Sequence, residues 1–438
     1  MLLWPRRVVA ALLLGVAFFA PRLARADDAT TIEPDQRQDP NAYRGRVADE
    51  GPDEPFLWIP RVLFFPIYLL AEYVIRRPIY AFVEWSDRHH VWPRTMRILH
   101  PTPNFEWNPS FNLDLGVEAW VGAGLTLRNL FVPRNELKTS FAVGLNVLEF
   151  EARDRWRSGP VSLGVAQHVG RHDRPFYGLG PDSSGDRVSY AQSLWEAGAF
   201  AGFDAGKHVH LEVSEGFRRE HLGPSTSEPS IETRFDTATL PGFDDVHLAI
   251  LAAALRVDTR KVPDQPSGVR LLANATHARD VVVPDRSFLK GELDAQGAIE
   301  VSRPGRVLSL RFYGADTLPT GGAPVPLTDL PMLGGPNHLG FYWGRFRGEA
   351  AVMAELRYRY PIAYDGDAQL VVSAGNVFAR DFHDFDVEKL TASFAIGLRT
   401  RRVGLLPLAV MVGFGTTQFD RPFAVDTFRL FIGTDSGL

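Results

Sequence analysis

The chain of 438 residues contains no cysteine. That excludes a disulfide framework, a thiolate metal site and the acylated cysteine of a lipoprotein anchor. Long uncharged apolar runs are also lacking. Beyond the N-terminal stretch Val8 to Ala20, none reaches the roughly 20 residues a helix needs to cross a bilayer. Strand-built membrane proteins escape this test, because only every second residue of a strand meets lipid. No Gly-x-Ser-x-Gly, His-Glu-x-x-His or P-loop pattern is present. Nor is there an excess of positive charge: 47 Lys and Arg stand against 52 Asp and Glu, net −5, so nucleic acid is not an expected partner.

The titratable clusters that do occur are unpromising as reaction centres. His89 and His90 are adjacent, and adjacent residues on a helix do not face together. Asp381, His383, Asp384 and Asp386 form a short acidic run that reads as a solvated turn rather than a cation site. His168 and His210 offer only the weakest basis for the Ser–His pair of a lipid hydrolase. The expectation is a protein that is not an enzyme, with no catalytic residue, no metal site and no cofactor.

The N-terminus reads as a secretory signal over residues 1–26. Arg6 and Arg7 precede the apolar run, and Ala24-Arg25-Ala26 supplies a small-x-small cleavage site before Asp27 and Asp28. Residues 27–54 are polar and charged and cannot bury enough apolar surface to offset their ordering entropy, so they are expected to form a disordered periplasmic linker. Residues 55–104 are apolar and aromatic, but Glu72, Arg76 and Arg77 interrupt them and Pro60, Pro66, Pro78 and Pro93 break them into short helices. With Trp58, Trp85 and Trp92 they suit an amphipathic helical segment at the periplasmic interface or the barrel mouth. A core helix of a small soluble domain is the other reading.

From about Phe105 the apolar period changes to two. Phe111, Leu113, Leu115, Val117 and Ala119 alternate with Asn112, Asp114, Gly116 and Glu118. Farther on, Leu356, Tyr358 and Tyr360 share one face and Glu355, Arg357 and Arg359 the other. The second face is too polar for a packed core and suits a water-filled lumen. Turns rich in Pro, Gly, Asp and Asn separate the runs. The pattern predicts an all-β fold over 105–438: a transmembrane antiparallel β-barrel of about 16 strands, starting near residues 111, 122, 138, 148, 160, 189, 208, 246, 268, 289, 306, 349, 367, 390, 406 and 425. With a periplasmic N-terminus, the long connections 171–188, 220–245 and 316–348 all fall on the extracellular side.

The longest connection ends in Leu333-Gly334-Gly335-Pro336-Asn337-His338-Leu339-Gly340-Phe341-Tyr342-Trp343-Gly344-Arg345-Phe346-Arg347-Gly348. Two Gly clusters, aromatics and two Arg concentrated in one loop suit a segment that folds back into a wide barrel. Other motifs accompany it in order: Arg174-Pro175-Phe176-Tyr177-Gly178-Leu179-Gly180, then Asp258-Thr259-Arg260 with Pro266 and Gly268, then Ala354 to Pro361, then Ala374-Gly375-Asn376-Val377-Phe378. Together they make the chain resemble the BamA/TamA family, the bacterial surface-antigen barrel superfamily, over roughly residues 105–438.

The resemblance implies a place in the bacterial outer membrane, in contact with its lipids. It also implies a role in inserting proteins into that membrane or moving them across it, with unfolded outer-membrane or secreted proteins as substrates. It makes 316–348 a lumen-inserted loop whose motif is Gly334, Gly335, Leu339, Gly340, Phe341, Gly344, Arg345, Phe346 and Arg347. Glu355, Arg357, Ser373 and Gly375 become the inner wall that faces it. A weak seam between the first and last strands is expected near Gly116, Gly122, Phe428, Leu430 and Gly433.

Two departures bear on this reading. The family loop carries Arg where this chain has Leu339, and the facing strand carries Asp where it has Ser373. Losing one partner alone would strand a buried charge at about 3–5 kcal/mol, whereas losing both is close to neutral. The loop is then expected to be held by Arg345 or Arg347 against an inner-wall carboxylate such as Glu355. Residues 27–104 also lack strand pairs, so no periplasmic POTRA domain is expected there. That leaves an alternative, a barrel without insertase activity: a narrow channel or a surface or membrane-organising protein.

Overall fold

A computed structural model describes residues 85, 88–89, 91–183, 185–260, 267–301, 305–363, 366–400 and 408–434. The expected signal peptide, the expected linker 27–54 and most of the expected helical segment 55–104 lie outside the described residues. One helix, α1 (Val91–Leu99), precedes the strands. The Trp107 indole N–H donates to the Ile98 carbonyl at 2.8 Å and ties the end of α1 to the first strand.

The strands follow in chain order: β1 (Phe105–Asp114), β2 (Trp120–Arg128), β3 (Asn135–Gly144), β4 (Val147–Ser158), β5 (Val161–Phe176), β6 (Val188–Ala205), β7 (Val209–Pro224), β8 (Val246–Asp258) and β9 (Gly268–Asp280). They continue with β10 (Ser287–Glu300), β11 (Val307–Pro319), the short pair β12 (Met332–Leu333) and β13 (Phe346–Arg347), then β14 (Ala350–Ala363), β15 (Gly366–Phe378), β16 (Thr391–Thr400), β17 (Leu408–Gln418) and β18 (Val425–Thr434). All but β12 and β13 pair antiparallel with their neighbours into one closed barrel of sixteen strands, β18 returning to β1. Closure gives every strand a partner on both sides, which a wall in hydrocarbon requires.

From β4 onward each barrel strand begins within two residues of the position expected from periodicity. The first strand is different. The alternation Phe111 to Ala119 was expected to be one strand, but β1 starts at Phe105 and ends at Asp114. Gly116, at φ 94°, turns the chain out of the sheet, and an alternating pattern continues across that turn without pairing.

The period-two pattern sorts side chains as a membrane wall needs. On β5, Leu163, Val165 and Val169 are exposed on the outer face while Ser162, Gly170 and His172 are buried inward. On β14, Leu356 and Tyr360 are exposed outward and Glu355 is buried. The inner wall carries ion pairs, among them Arg153 with Glu212 at 2.6 Å and Arg311 with Asp294 at 2.9 Å. Outward Leu, Val and Phe with inward paired charges is the arrangement of an outer-membrane barrel.

The long connections gather at one end and close it with apolar clusters. Phe176, Val188, Tyr190, Leu222, Ile231 and Leu327 bring the ends of β5–β7, the 225–245 loop and the 320–349 loop together. Val325 and Leu330 of the last loop pack on Val246, Leu248, Ala278 and Phe288. The longest loop is therefore part of the inner packing of the barrel.

Candidate functional site

The 320–349 loop enters through a neck and ends in a tightly folded tip. At the neck β12 and β13 pair, Met332 opposite Arg347 and Leu333 opposite Phe346. Within the tip Gly335 N–H donates to Phe341 O at 2.9 Å and Phe341 N–H to His338 O at 3.0 Å. Gly334 stands at φ 111°, where a Cβ would also overlap the Tyr342 carbonyl, so the bend needs glycine. Phe341 is fully buried, stacked on His338 at 4.7 Å and edge-on to Phe346 at 4.9 Å.

The tip lies against the inner faces of β15 to β18. Gly340 N–H donates to Ser393 Oγ at 2.6 Å, and Thr427 Oγ1 donates to Gly340 O at 2.7 Å. A Cβ on Gly340 would overlap the Phe414 carbonyl, and one on Gly413 would meet the Leu339 carbonyl. Glycine on both sides brings the two backbones together. His338 spans two strands: Nδ1 lies 2.8 Å from Ser373 Oγ and Nε2 lies 3.0 Å from Thr391 Oγ1. Thr391 already donates to Gly375 O at 2.9 Å, so it accepts from His338, which assigns the proton to Nε2 and leaves Nδ1 to accept from Ser373. Burial pushes the His338 pKa down to about 3, and the ring is neutral.

Leu339 and Ser373, the two departures from the family pattern, are both used. Leu339 is buried in an apolar pocket of Val371, Ala395 and Met411. Ser373 serves the neighbouring His338. Packing plus a neutral hydrogen bond thus occupies the place where a charged pair would stand.

The expected anchor from Arg345 or Arg347 to Glu355 is not formed. Arg345 donates to Ser183 Oγ at 2.9 Å and lies 3.7 Å from Asp426. Arg347 donates to Leu327 O at 2.9 Å and to Tyr190 Oη at 3.3 Å. Glu355 is held instead by Arg357 on its own strand, at 2.9 Å. The reason is position: both loop arginines sit at the neck, level with the 177–187 loop, and cannot reach down the wall. Charged side chains of the wall also reach into the loop. Arg311 of β11 donates to Asn337 Oδ1 at 2.7 Å, and Arg429 of β18 donates to Leu339 O at 3.3 Å.

The dispersed motifs meet at this loop. Arg174 lies 4.9 Å from the Trp343 ring, and Gly180 N–H donates to Arg347 O at 2.8 Å. Gly375 lies on β15 behind the His338 contact. The Asp258-Thr259-Arg260 motif stays apart, at the other end of the barrel, where Arg260 Nε donates to Asp258 Oδ1 at 2.9 Å at the end of β8. Asp384 and Asp386 accept from the backbone amides of Ala379 and Glu388 and so act as turn caps.

The seam is short. Among the described residues β1 and β18 pair over three positions, Asn112 with Gly433, Leu113 with Ile432 and Asp114 with Phe431. Other neighbours in the barrel pair over eight to sixteen. Of the residues expected there, Gly433 lies in the seam, and the Leu430 carbonyl accepts from Leu115 N–H at 3.0 Å. Phe428 is exposed on the outer face. Gly122 lies on β2 opposite Ser110, away from the seam. Gly116, just past β1, leaves the space that the Tyr342 ring of the loop occupies.

A bidentate ion pair crosses the seam. Arg429 of β18 donates from Nε at 2.8 Å and from Nη2 at 2.7 Å to Asp114 of β1, and both side chains are buried. The same guanidinium reaches the loop at Leu339 O. Arg429 thus joins first strand, last strand and lumen loop, a role that sequence reasoning missed. Its inward direction was legible from alternation with Phe428 and Leu430; its partners were not.

No protein-family model matches the chain, and no curated protein matches it. Among solved structures it is similar to BamA from Haemophilus ducreyi lacking POTRA domains 1–3, with a TM-score of 0.58 and 16% identity over 76% of this chain and 70% of that one. CdiB from Acinetobacter baumannii matches at 0.52 and 13% identity, and CdiB from Escherichia coli at 0.50 and 12%. Each CdiB match covers 76% of this chain, which spans 60% and 63% of those two proteins. At these identities the likeness is one of fold: a sixteen-stranded outer-membrane barrel of the BamA and CdiB kind.

Proposed function

We propose that this barrel acts at its seam, in the insertion of proteins into the outer membrane or their movement across it. The observation that carries the reading is that, among the described residues, β1 pairs with β18 over three positions while the other joints of the wall run over eight to sixteen. A joint with few ladder hydrogen bonds opens at low cost, and an opened edge presents unpaired N–H and C=O groups that template an incoming strand. Arg429 and the loop tip would act as the latch, because both release the seam only when the contacts to Asp114 and Leu339 part. The partners on this reading are unfolded outer-membrane or secreted chains and the surrounding lipid, and no covalent chemistry is involved.

A cavity of about 440 Å³ inside the barrel, with Lys138, Glu151, Arg153, Glu196 and Glu212 among its lining residues, favours a second reading: a narrow channel closed by the 320–349 loop. One experiment separates them. Leu113→Cys with Ile432→Cys places a cysteine pair at opposed seam positions in a chain with no other thiol. Proteoliposomes carrying the full chain are given an unfolded outer-membrane barrel, and its folding is followed by gel migration. Oxidation should abolish the stimulation of folding and reduction should restore it. Equal stimulation by the locked barrel would rule the seam out, and conductance that appears on trimming the loop would support the channel.

A further inference from the structure

The two inner-wall histidines of β5 have no part in the seam or the loop. His168 and His172 both face inward and flank Gly170, which stands directly opposite Glu149 of β4. Their Nε2 atoms lean toward the same point: a Cβ added to Gly170 would lie 3.4 Å from His168 Nε2 and 3.3 Å from His172 Nε2. Glu149 Oε1 lies 2.9 Å from His168 Nε2 and 3.4 Å from His172 Nε2. Glu151 Oε1 approaches His168 Nε2 at 3.9 Å from the rim. The ligating atoms of Glu149, Glu151 and His168 all lie within 4.8 Å of one another.

We propose that Glu149, His168 and His172, converging over Gly170 on the inner wall, form a binding site for a divalent transition-metal cation, with Glu151 at its rim. His172 is the independent pointer to a ligand. Its residue is 8% exposed, and its buried Nε2 has no hydrogen-bond partner although it is aimed at the Glu149 carboxylate. A cation held between this nitrogen and the carboxylate would give it a partner. Tetrahedral zinc with ligands at about 2.0 Å sets neighbouring donor atoms about 3.3 Å apart. The separations of 2.9 and 3.4 Å from Glu149 Oε1 to the two imidazoles lie either side of that spacing, and Glu151 Oε1 stands farther out, 3.9 Å from His168 Nε2. Two imidazoles and a carboxylate are borderline donors that suit zinc or cobalt rather than calcium or magnesium. The cavity that Glu151 and His168 help to line offers the ion a path in and leaves a fourth position toward the lumen.

The ordinary alternative is a plain ion pair, with His168 protonated on Glu149. It accounts for His168 but leaves the buried His172 Nε2 without a hydrogen bond.

The test is a Co²⁺ titration of the full chain, refolded in detergent and purified without a polyhistidine tag, read by visible absorption and calorimetry. One saturable equivalent with the intense bands of four-coordinate Co²⁺ is expected, displaced by Zn²⁺. His168→Ala and His172→Ala should each weaken binding by at least about tenfold, judged by the size of effects that even outer-shell partners show. His210→Ala should leave it unchanged, because that imidazole pairs with Asp204 at 2.6 Å elsewhere on the wall. No saturable binding by the unmodified protein, or binding that survives either β5 substitution, would overturn the proposal. The titration of the unmodified chain decides the first point even if a variant fails to fold.

Discussion

Arg429 and Asp114 lie 315 residues apart and form a two-point ion pair across the joint that closes the barrel. Both side chains are almost wholly buried, so the pair is a conditional asset. Intact, it satisfies two desolvated charges; with one partner removed, the other is left without compensation. Asp114→Ala or Arg429→Ala should therefore lower barrel stability by about 3–5 kcal/mol. Substituting both by apolar residues should cost far less. Urea midpoints of the refolded chain, read by gel migration without boiling, give the comparison, and equal losses for single and double variants would contradict it.

Gly340 meets β17 backbone to backbone, and a side chain there has no room because the overlap is with a carbonyl rather than a flexible tip. Gly340→Val should unseat the loop tip, with a penalty at or above the roughly 1–3 kcal/mol typical of overpacking. Gly322, in the same loop, has open space around its Cβ position and its alanine variant should be silent. Protease cleavage within 334–345 is the readout, fast in the first variant and unchanged in the second.

The neutral His338 makes loop seating depend on pH. Its pKa is depressed from 6.5 to about 3 by burial, so between those values the unseated loop takes up a proton that the seated loop refuses. Seating is complete above about 6.5 and weakens as pH falls toward 3. Hydrogen exchange of peptides from 334–345, corrected for the intrinsic pH effect, should accelerate over that range. His338→Gln should flatten the profile, since the amide can reach the same hydroxyls and does not titrate.

Leu339 and Ser373 stand at the two positions where the resemblance implies an Arg and an Asp. Leu339→Arg alone puts a charge into the pocket of Val371, Ala395 and Met411 and should destabilise the loop by about 3–5 kcal/mol. Adding Ser373→Asp should recover a large part of that loss, at the expense of the His338 contact. A double-mutant cycle on thermal or urea unfolding measures the coupling, and a value near zero would mean that the two positions do not communicate.

Much of the wall was legible without coordinates, because a side chain's alternation between lipid and lumen is a local property written every two residues. Leu356 outward and Glu355 inward follow from that rhythm alone. The approximate strand starts from β4 onward follow from it too, together with Gly, Pro and Asp at the turns. The motif residues of the long loop were identifiable as a group, since Gly334, Gly335 and Gly340 in one loop mark backbone that must bend sharply or approach closely.

Partners across the lumen were not legible. Arg345 or Arg347 is expected from charge to meet an inner-wall carboxylate such as Glu355, but depth in the barrel decides otherwise and leaves Arg345 at the neck with Ser183 and Asp426 and Arg347 with Leu327 and Tyr190. Nothing local distinguishes Arg429 from other inward arginines, and only closure of the cylinder brings Asp114 beside it. By itself the sequence determined which face of each strand meets water and which meets hydrocarbon, because that choice depends on neighbours two residues away. Which charges meet, how short the seam is and where the loop tip rests were decided by the closed tertiary structure, because these contacts join residues hundreds of positions apart, and alternation carries no information about them.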